Sequence, residues 1–194
     1  MTEANEGGLA IFVKNLEPGK VKTRLAADTG PEKAMEVYKT LLQITHKACL
    51  PLPCQKWVHY STFINRQDLW NQGGFEKRQQ HGPTLGSRMA SAFSDMFASG
   101  VSRAVLVGSD CPGLTTDLLT TALEALETHD VVLGPALDGG YYLIGMKKLW
   151  LEMFHDKPWS TDMVFAETMM DVKMLKLTDF QLPALRDVDT VEDL

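Results

Sequence analysis

The sequence has no apolar stretch near the roughly 20 residues that a membrane span requires. Its first eight residues, Met1 to Gly8, are polar and acidic. They carry neither a basic n-region nor an apolar core, so no signal peptide is expected and the expected compartment is the cytoplasm. Cysteine is scarce, with three residues in a chain of 194. An odd count suits a reducing compartment and excludes a disulfide scaffold. Cys49 and Cys54 lie five apart around prolines, without a CxxC or a nearby His pair, which argues against zinc. A basic excess is also missing: 19 Lys and Arg face 25 Asp and Glu, a formal charge of −6. That balance argues against binding nucleic acid through a broad basic surface. There is no GxGxxG fingerprint, no standard Walker loop, no internal repeat, no low-complexity tract and no linker.

What remains is the composition of an ordinary globular protein, 44% hydrophobic and 23% charged, at a length that fits one domain over residues 1–194. The charge is uneven. Residues 1–97 carry 12 basic and 9 acidic groups, whereas residues 98–194 carry 7 and 16.

Short apolar runs alternate with helical stripes. Leu9–Val13, Lys56–Tyr60, Phe75–Gln79, Ala104–Val107, Val131–Leu133, Tyr141–Ile144 and Val172–Leu177 read as strands. A helix is expected behind Thr29, where Pro31 and Glu32 resemble a capping box with proline in the first turn. The stripe Leu85, Met89, Ala92, Phe93, Met96 and Phe97 predicts a second helix with those side chains in the core. Thr115 is the expected N-cap of a third, with Asp117 in its first turn, and Thr161–Met170 is a fourth. Strand–helix alternation implies an α/β fold with a mostly parallel sheet covered on both faces. In such sheets ligands sit outside the carboxyl ends of the strands, so the loops after strands are the place to look.

The loop Lys14–Arg24 holds four cations and one anion. Lysines supply point charges, Arg24 a bidentate fork for phosphate oxygens, and Gly19 room for close backbone approach. A solvated basic loop is the alternative. In Gly108-Ser109-Asp110-Cys111-Pro112-Gly113, a carboxylate ends the central strand, a good position for a Mg²⁺ ligand. The alternative is a loop in which Asp110 bonds local amides. Cys111 as a nucleophile lacks a nearby base. Asp138-Gly139-Gly140 is a hairpin signal that also leaves room for a ligand, and Tyr141 and Tyr142 point to opposite faces. In Arg186-Asp187-Val188-Asp189, two aspartates on one side of an extended chain can aim at one cation. Thr190 and Asp193 form a helix-start pattern.

Five segments together, LAIFVKNLEPGKVKTRLA, GPTLGSRMASAF, VLVGSDCPGLT, LGPALDGGYYLIG and RDVDTVEDL, resemble the nucleotide-diphospho-sugar transferase superfamily. The resemblance is to a small bacterial glycosyltransferase-like family, and more distantly to 2-phospho-lactate guanylyltransferases and molybdenum-cofactor nucleotidyltransferases. It implies a Rossmann-like, glycosyltransferase-A-like three-layer α/β/α sandwich with a mostly parallel mixed sheet. It implies nucleotide phosphates near Lys14, Gly19, Lys20, Lys22, Arg24 and Arg88, and an acceptor near Asp138, Gly139, Gly140 and Tyr141. It also implies a Mg²⁺ (or Mn²⁺) ion on Asp110, Asp189 and Asp187, with Lys22 and Asp110 catalytic. Two departures stand out: a lysine-rich loop replaces the relatives' glycine-rich one, and Ser109-Asp110-Cys111 replaces Asp-x-Asp.

The expected reaction is metal-dependent nucleotidyl transfer from an NTP to a phosphorylated small molecule, with release of pyrophosphate. Glycosyl transfer from a nucleotide sugar and non-catalytic nucleotide binding are the alternatives. Neither nucleic acid nor a membrane is an expected partner.

Overall fold

The computed structural model describes residues 7–194. Seven strands form one sheet in the order β3-β2-β1-β4-β6-β5-β7. They are β1 (Gly7–Val13), β2 (Gln55–Tyr60), β3 (Phe75–Gln79), β4 (Arg103–Val107), β5 (Val131–Pro135), β6 (Tyr141–Met146) and β7 (Asp179–Gln181). β6 pairs antiparallel with both β4 and β5, and the other pairings are parallel. The sheet is therefore mostly parallel and mixed, as expected.

Period-two alternation explains why both faces are apolar. Leu9, Ile11 and Val13 of β1 join one core with Tyr38, Leu41, Leu119 and Leu126. Ala10 joins the other with Met89, Phe93 and Met96. The first core lies under α2 (Pro31–Cys49) and α4 (Thr116–Thr128); the second lies under α3 (Leu85–Ala98) and α5 (Val164–Met174).

Local signals set the helix starts. The Thr115 hydroxyl accepts from Leu118 N, and Thr84 and Ser87 cap α3 reciprocally. Three expectations need correction. Thr29 does not start α2: it ends a short helix, α1 (Thr23–Thr29), and Gly30 at φ 89° precedes Pro31. α1 has one buried residue, Leu25, so no stripe announced it. Val172–Leu177 is not a strand. Val172 belongs to the buried side of α5, which runs to Met174, and the chain pairs with β5 only from Asp179. A short apolar run cannot by itself separate a strand from the end of a buried helix. Leu85, at the head of the α3 stripe, is 44% exposed at the cleft rather than packed in the core.

His59 on β2 is buried, and its Nε2 has no hydrogen-bond partner. Burial, then Arg78, lowers its pKa to about 4; Asp95 and Glu76 oppose the shift and His81 adds to it. The unfolded chain binds this proton near pH 6.5 and the folded chain does not. Stability is therefore full above pH 6.5 and falls as the pH drops from 6.5 towards 4, by on the order of 3 kcal/mol. Urea midpoints measured across this range should fall, and His59→Leu should flatten the profile. An unchanged slope in the variant would contradict the assignment.

Candidate active site

The carboxyl ends of β1, β4 and β5 converge with the C-terminal segment on one cleft. Backbone links bring that segment in. Leu185 N donates to Pro135 O at the end of β5, and Val188 N donates to Asp110 O after β4. Val188 is buried, which fixes the flanking Asp187 and Asp189 beside the Asp138 turn.

Lys22 is the centre of the arrangement. It sits at φ 47°, ψ 50°, a left-handed conformation costly for a side chain with a Cβ. The side chain is 2% exposed, and its ammonium pairs with Asp110 Oδ1 and, at 3.2 Å, with Asp189 Oδ1. Burial works to lower its pKa, but Asp110 and Asp189 outweigh burial and leave it raised. Three donors on the ammonium leave one beyond these two pairs. Arg24 Nη1 lies 3.8 Å from Asp189 Oδ2 with its side chain largely in solvent.

Beneath these loops Tyr38 is a buried staple. Its hydroxyl accepts from Lys14 N at 2.8 Å and lies 2.9 Å from Ser109 Oγ, so it joins the loop after β1 to the loop after β4. No local pattern in the sequence marks the hydroxyl's partners. Asn15 ties the same loop to the one after β2, through Nδ2 to Phe63 O and Thr62 N to Oδ1.

The cleft has two connected parts. A cavity of about 520 Å³ is lined by residues that include Lys14, Lys22, Arg24, Asp110, Asp138 and Asp189. A neighbouring one of about 400 Å³ has an apolar floor of Phe12, Val13, Leu106 and Ile144, with Ser61, Gln80 and Arg88 as polar groups. Lys14, Leu85, Asp110, Tyr141 and Ser160 line both.

The sequence-expected residues fall into two groups. Lys14, Lys22, Arg24, Asp110, Asp138, Gly140, Tyr141 and Asp189 line the larger cavity, and Arg88 lines the smaller. Arg88 is partly engaged: its Nε donates to Gly82 O. Lys20 pairs with Glu17 at 2.7 Å, and neither Lys20 nor Gly19 is part of the cleft wall. The loop turns at Gly19 (φ 72°) before returning at Lys22, which sets these two residues apart from the cleft lining. Gly139 has a structural part. At φ 91°, a Cβ there would overlap the Asp162 backbone. Gly139→Ala is expected to lower the denaturation midpoint by the equivalent of about 2 kcal/mol or more; an unchanged midpoint would mean the turn is soft.

Carboxylate oxygens of Asp138, Asp187 and Asp189 all lie within 4.8 Å of one another. Burial, then Asp138, raises the Asp187 pKa to about 6, with further contributions from Asp189 and Asp110. Such an oxygen-only donor set fits a hard divalent cation. Asp187 and Asp189 of the expected ligands belong to this cluster together with Asp138, while the Asp110 oxygen is turned to Lys22. Cys111 is buried, and burial followed by Asp187 and Asp110 pushes its thiol up, so it offers no thiolate nucleophile.

Sequence reasoning missed Trp159, Ser160, Thr161 and Asp162, which also line the larger cavity. They precede α5 rather than follow a strand. The aromatic residue set among turn formers in Pro158-Trp159-Ser160-Thr161-Asp162 was the available signal.

Residues 44–161 match the model of a family described as an uncharacterized protein conserved in bacteria (DUF2064). No curated protein matches the chain. A crystal structure from Desulfovibrio desulfuricans G20, provisionally named a nucleotide-diphospho-sugar transferase, superposes with a TM-score of 0.89 at 36% identity. The match covers 97% of this chain and 84% of that one. The inositol-1-phosphate CTP transferase from T. maritima shares the fold, with TM-score 0.58, 11% identity and 96% and 91% coverage. So does a CMP:2-keto-3-deoxy-manno-octonic acid synthetase complexed with CTP, with TM-score 0.54, 11% identity and 95% and 93% coverage.

Proposed function

The chain belongs to the bacterial DUF2064 family and has the fold of the nucleotide-diphospho-sugar transferases, and from that premise we propose that it is a transferase using a nucleotide donor. The observation that carries this reading is the buried Lys22 ammonium bridging Asp110 and Asp189. It fixes an ammonium, with one donor to spare, in the lining of a cavity also lined by Lys14 and Arg24. The donor's phosphates lie against Lys14, Lys22 and Arg24, and its nucleoside occupies the smaller cavity over the Phe12–Leu106 floor.

Asp138, Asp187 and Asp189 are the residues that would hold Mg²⁺ or Mn²⁺, with Asp110 beside them. The ion's contribution when bound is neutralisation of phosphate charge. The chain's own contribution is positioning. Tyr38 holds Lys14 and Ser109 in register, and Lys22 donates to a phosphate oxygen as charge builds there, a preorganised contact that costs no rearrangement. No histidine lines the larger cavity, so catalysis here is positioning and charge stabilisation.

Nucleotidyl transfer from an NTP is the first reading. Glycosyl transfer from a nucleotide sugar is the second, favoured by the 36% identity to the Desulfovibrio transferase. Products separate them. Incubation with each NTP and with nucleotide sugars, in Mg²⁺, is expected to release pyrophosphate from an NTP on the first reading. On the second, a nucleoside diphosphate comes from a sugar donor. Tight nucleotide binding with neither product across acceptors would overturn both in favour of a binding protein.

A further inference from the structure

Arg88 stands apart from the other cations of the cleft. Lys22 and Arg24 line the larger cavity and face carboxylates, and Lys14 lines both cavities. Arg88 lines the smaller cavity alone, and among the described residues no carboxylate pairs with it.

Neutral partners hold its guanidinium in place. Nε donates to Gly82 O at 3.0 Å and Nη1 to Gln80 Oε1 at 3.5 Å. Gln80 is itself fixed, since its Nε2 donates to His59 O at 3.0 Å and to Val13 O at 3.3 Å, near the ends of β2 and β1. Of the five guanidinium donors these bonds use two and leave three. The other polar side chains confined to the smaller cavity are already paired. Ser61 Oγ accepts from Asn15 N, Ser109 Oγ bonds the Tyr38 hydroxyl, and Tyr142 OH donates to Pro183 O. None is a carboxylate. Asp110, where the two cavities meet, is turned to Lys22.

A base lying on the apolar floor of this cavity therefore meets a cation that only donates. Base edges differ in how they answer it. Guanine presents two neighbouring acceptors, N7 and O6, which match the parallel N–H groups of a guanidinium. Adenine carries an amino group in place of O6, a donor set against a donor. In uracil the N3–H separates the two carbonyl acceptors. Cytosine has neighbouring acceptors in N3 and O2, but O2 adjoins the glycosidic nitrogen, where the ribose crowds the approach.

We propose that Arg88 reads the base of the donor and that this base is guanine, held through N7 and O6; the inference rests on the nucleotide-donor reading above. It gives Arg88 a different task from the phosphate contact expected from the sequence, in keeping with its place in a cavity that neither Lys22 nor Arg24 lines.

The test is calorimetric titration of the full chain, in Mg²⁺, with GTP, ATP, CTP, UTP, ITP and 7-deaza-GTP. GTP is expected to bind at least about tenfold more tightly than ATP, CTP or UTP, within the discrimination that one bidentate pair supplies. ITP keeps N7 and O6 and should match GTP. 7-Deaza-GTP, with a C–H in place of N7, should bind about tenfold more weakly. Arg88→Met should bring GTP down to the level of ATP while leaving ATP, CTP and UTP little changed. Arg88→Lys should not restore the preference, because an ammonium cannot form the two parallel bonds. Tighter binding of ATP, CTP or UTP than of GTP, equal binding of 7-deaza-GTP and GTP, or an equal loss of all four nucleotides in Arg88→Met (the result a phosphate contact gives) would overturn the proposal. The analogue comparisons need no variant, so they decide the matter even if Arg88→Met fails to fold. If nucleotides bind without preference for guanine, the base assignment fails alone; if no nucleotide binds, the donor reading fails and the base assignment with it.

Discussion

Lys22→Met is expected to cut turnover by about a hundredfold or more, because a lost charge contact to a developing phosphate charge is worth about 3 kcal/mol. The methionine keeps the apolar stem and the left-handed backbone burden while deleting the ammonium. Asp110 and Asp189 then lose their shared partner. Removing one member of a fully buried ion pair costs about 3–5 kcal/mol, whereas exposed pairs are worth about 0–1 kcal/mol. Here the carboxylates are 36% and 43% exposed, so water recovers part of the loss, and about 1–3 kcal/mol is expected from chemical denaturation. Lys22→Arg should not restore activity, since a planar guanidinium does not fit a site shaped for a compact ammonium. Near-native turnover in Lys22→Met would reduce the bridge to a structural role.

Asp189→Asn is expected to weaken Mn²⁺ binding by about a hundredfold, followed by electron paramagnetic resonance titration. Asp189 has three links: its carboxylate belongs to the Asp138–Asp187–Asp189 cluster, accepts from Lys22 and faces Arg24. Asp110→Asn should cost markedly less metal affinity, because the Asp110 oxygen is already committed to Lys22. The ranking is the informative result. If Asp110→Asn abolished Mn²⁺ binding and Asp189→Asn left it intact, the ion would belong at the end of β4.

The strand-end logic located most of the cleft from sequence. Apolar runs such as Leu9–Val13 and Ala104–Val107 identified buried strands, and a parallel sheet directs function to the loops that follow them. That logic found Lys22, Asp110 and Asp138 as residues of the cleft, and the aspartate pair of the C-terminal segment supplied Asp189. It could not sort them. Whether a lysine in a basic loop turns inward like Lys22 or outward like Lys20 depends on a left-handed backbone position that composition does not reveal. Asp138 read as a turn and acceptor residue because its nearness to Asp187 arises from the tertiary pairing of Leu185 with Pro135 and Leu137. The Trp159–Asp162 wall escaped for a related reason. It reaches the cleft through packing on Gly86 and Gly139, not through a strand. α1 was invisible because one buried leucine makes no periodic stripe.

In the proposed site, basic and acidic loops meet around one nucleotide and one metal ion. Thermal unfolding with NTPs and nucleotide sugars, with and without Mg²⁺, tests it most directly, since a ligand that binds the native state raises the midpoint. A rise is expected with at least one nucleotide, larger with Mg²⁺ present, and lost in Lys22→Met. No shift with any nucleotide, in either condition, would contradict it.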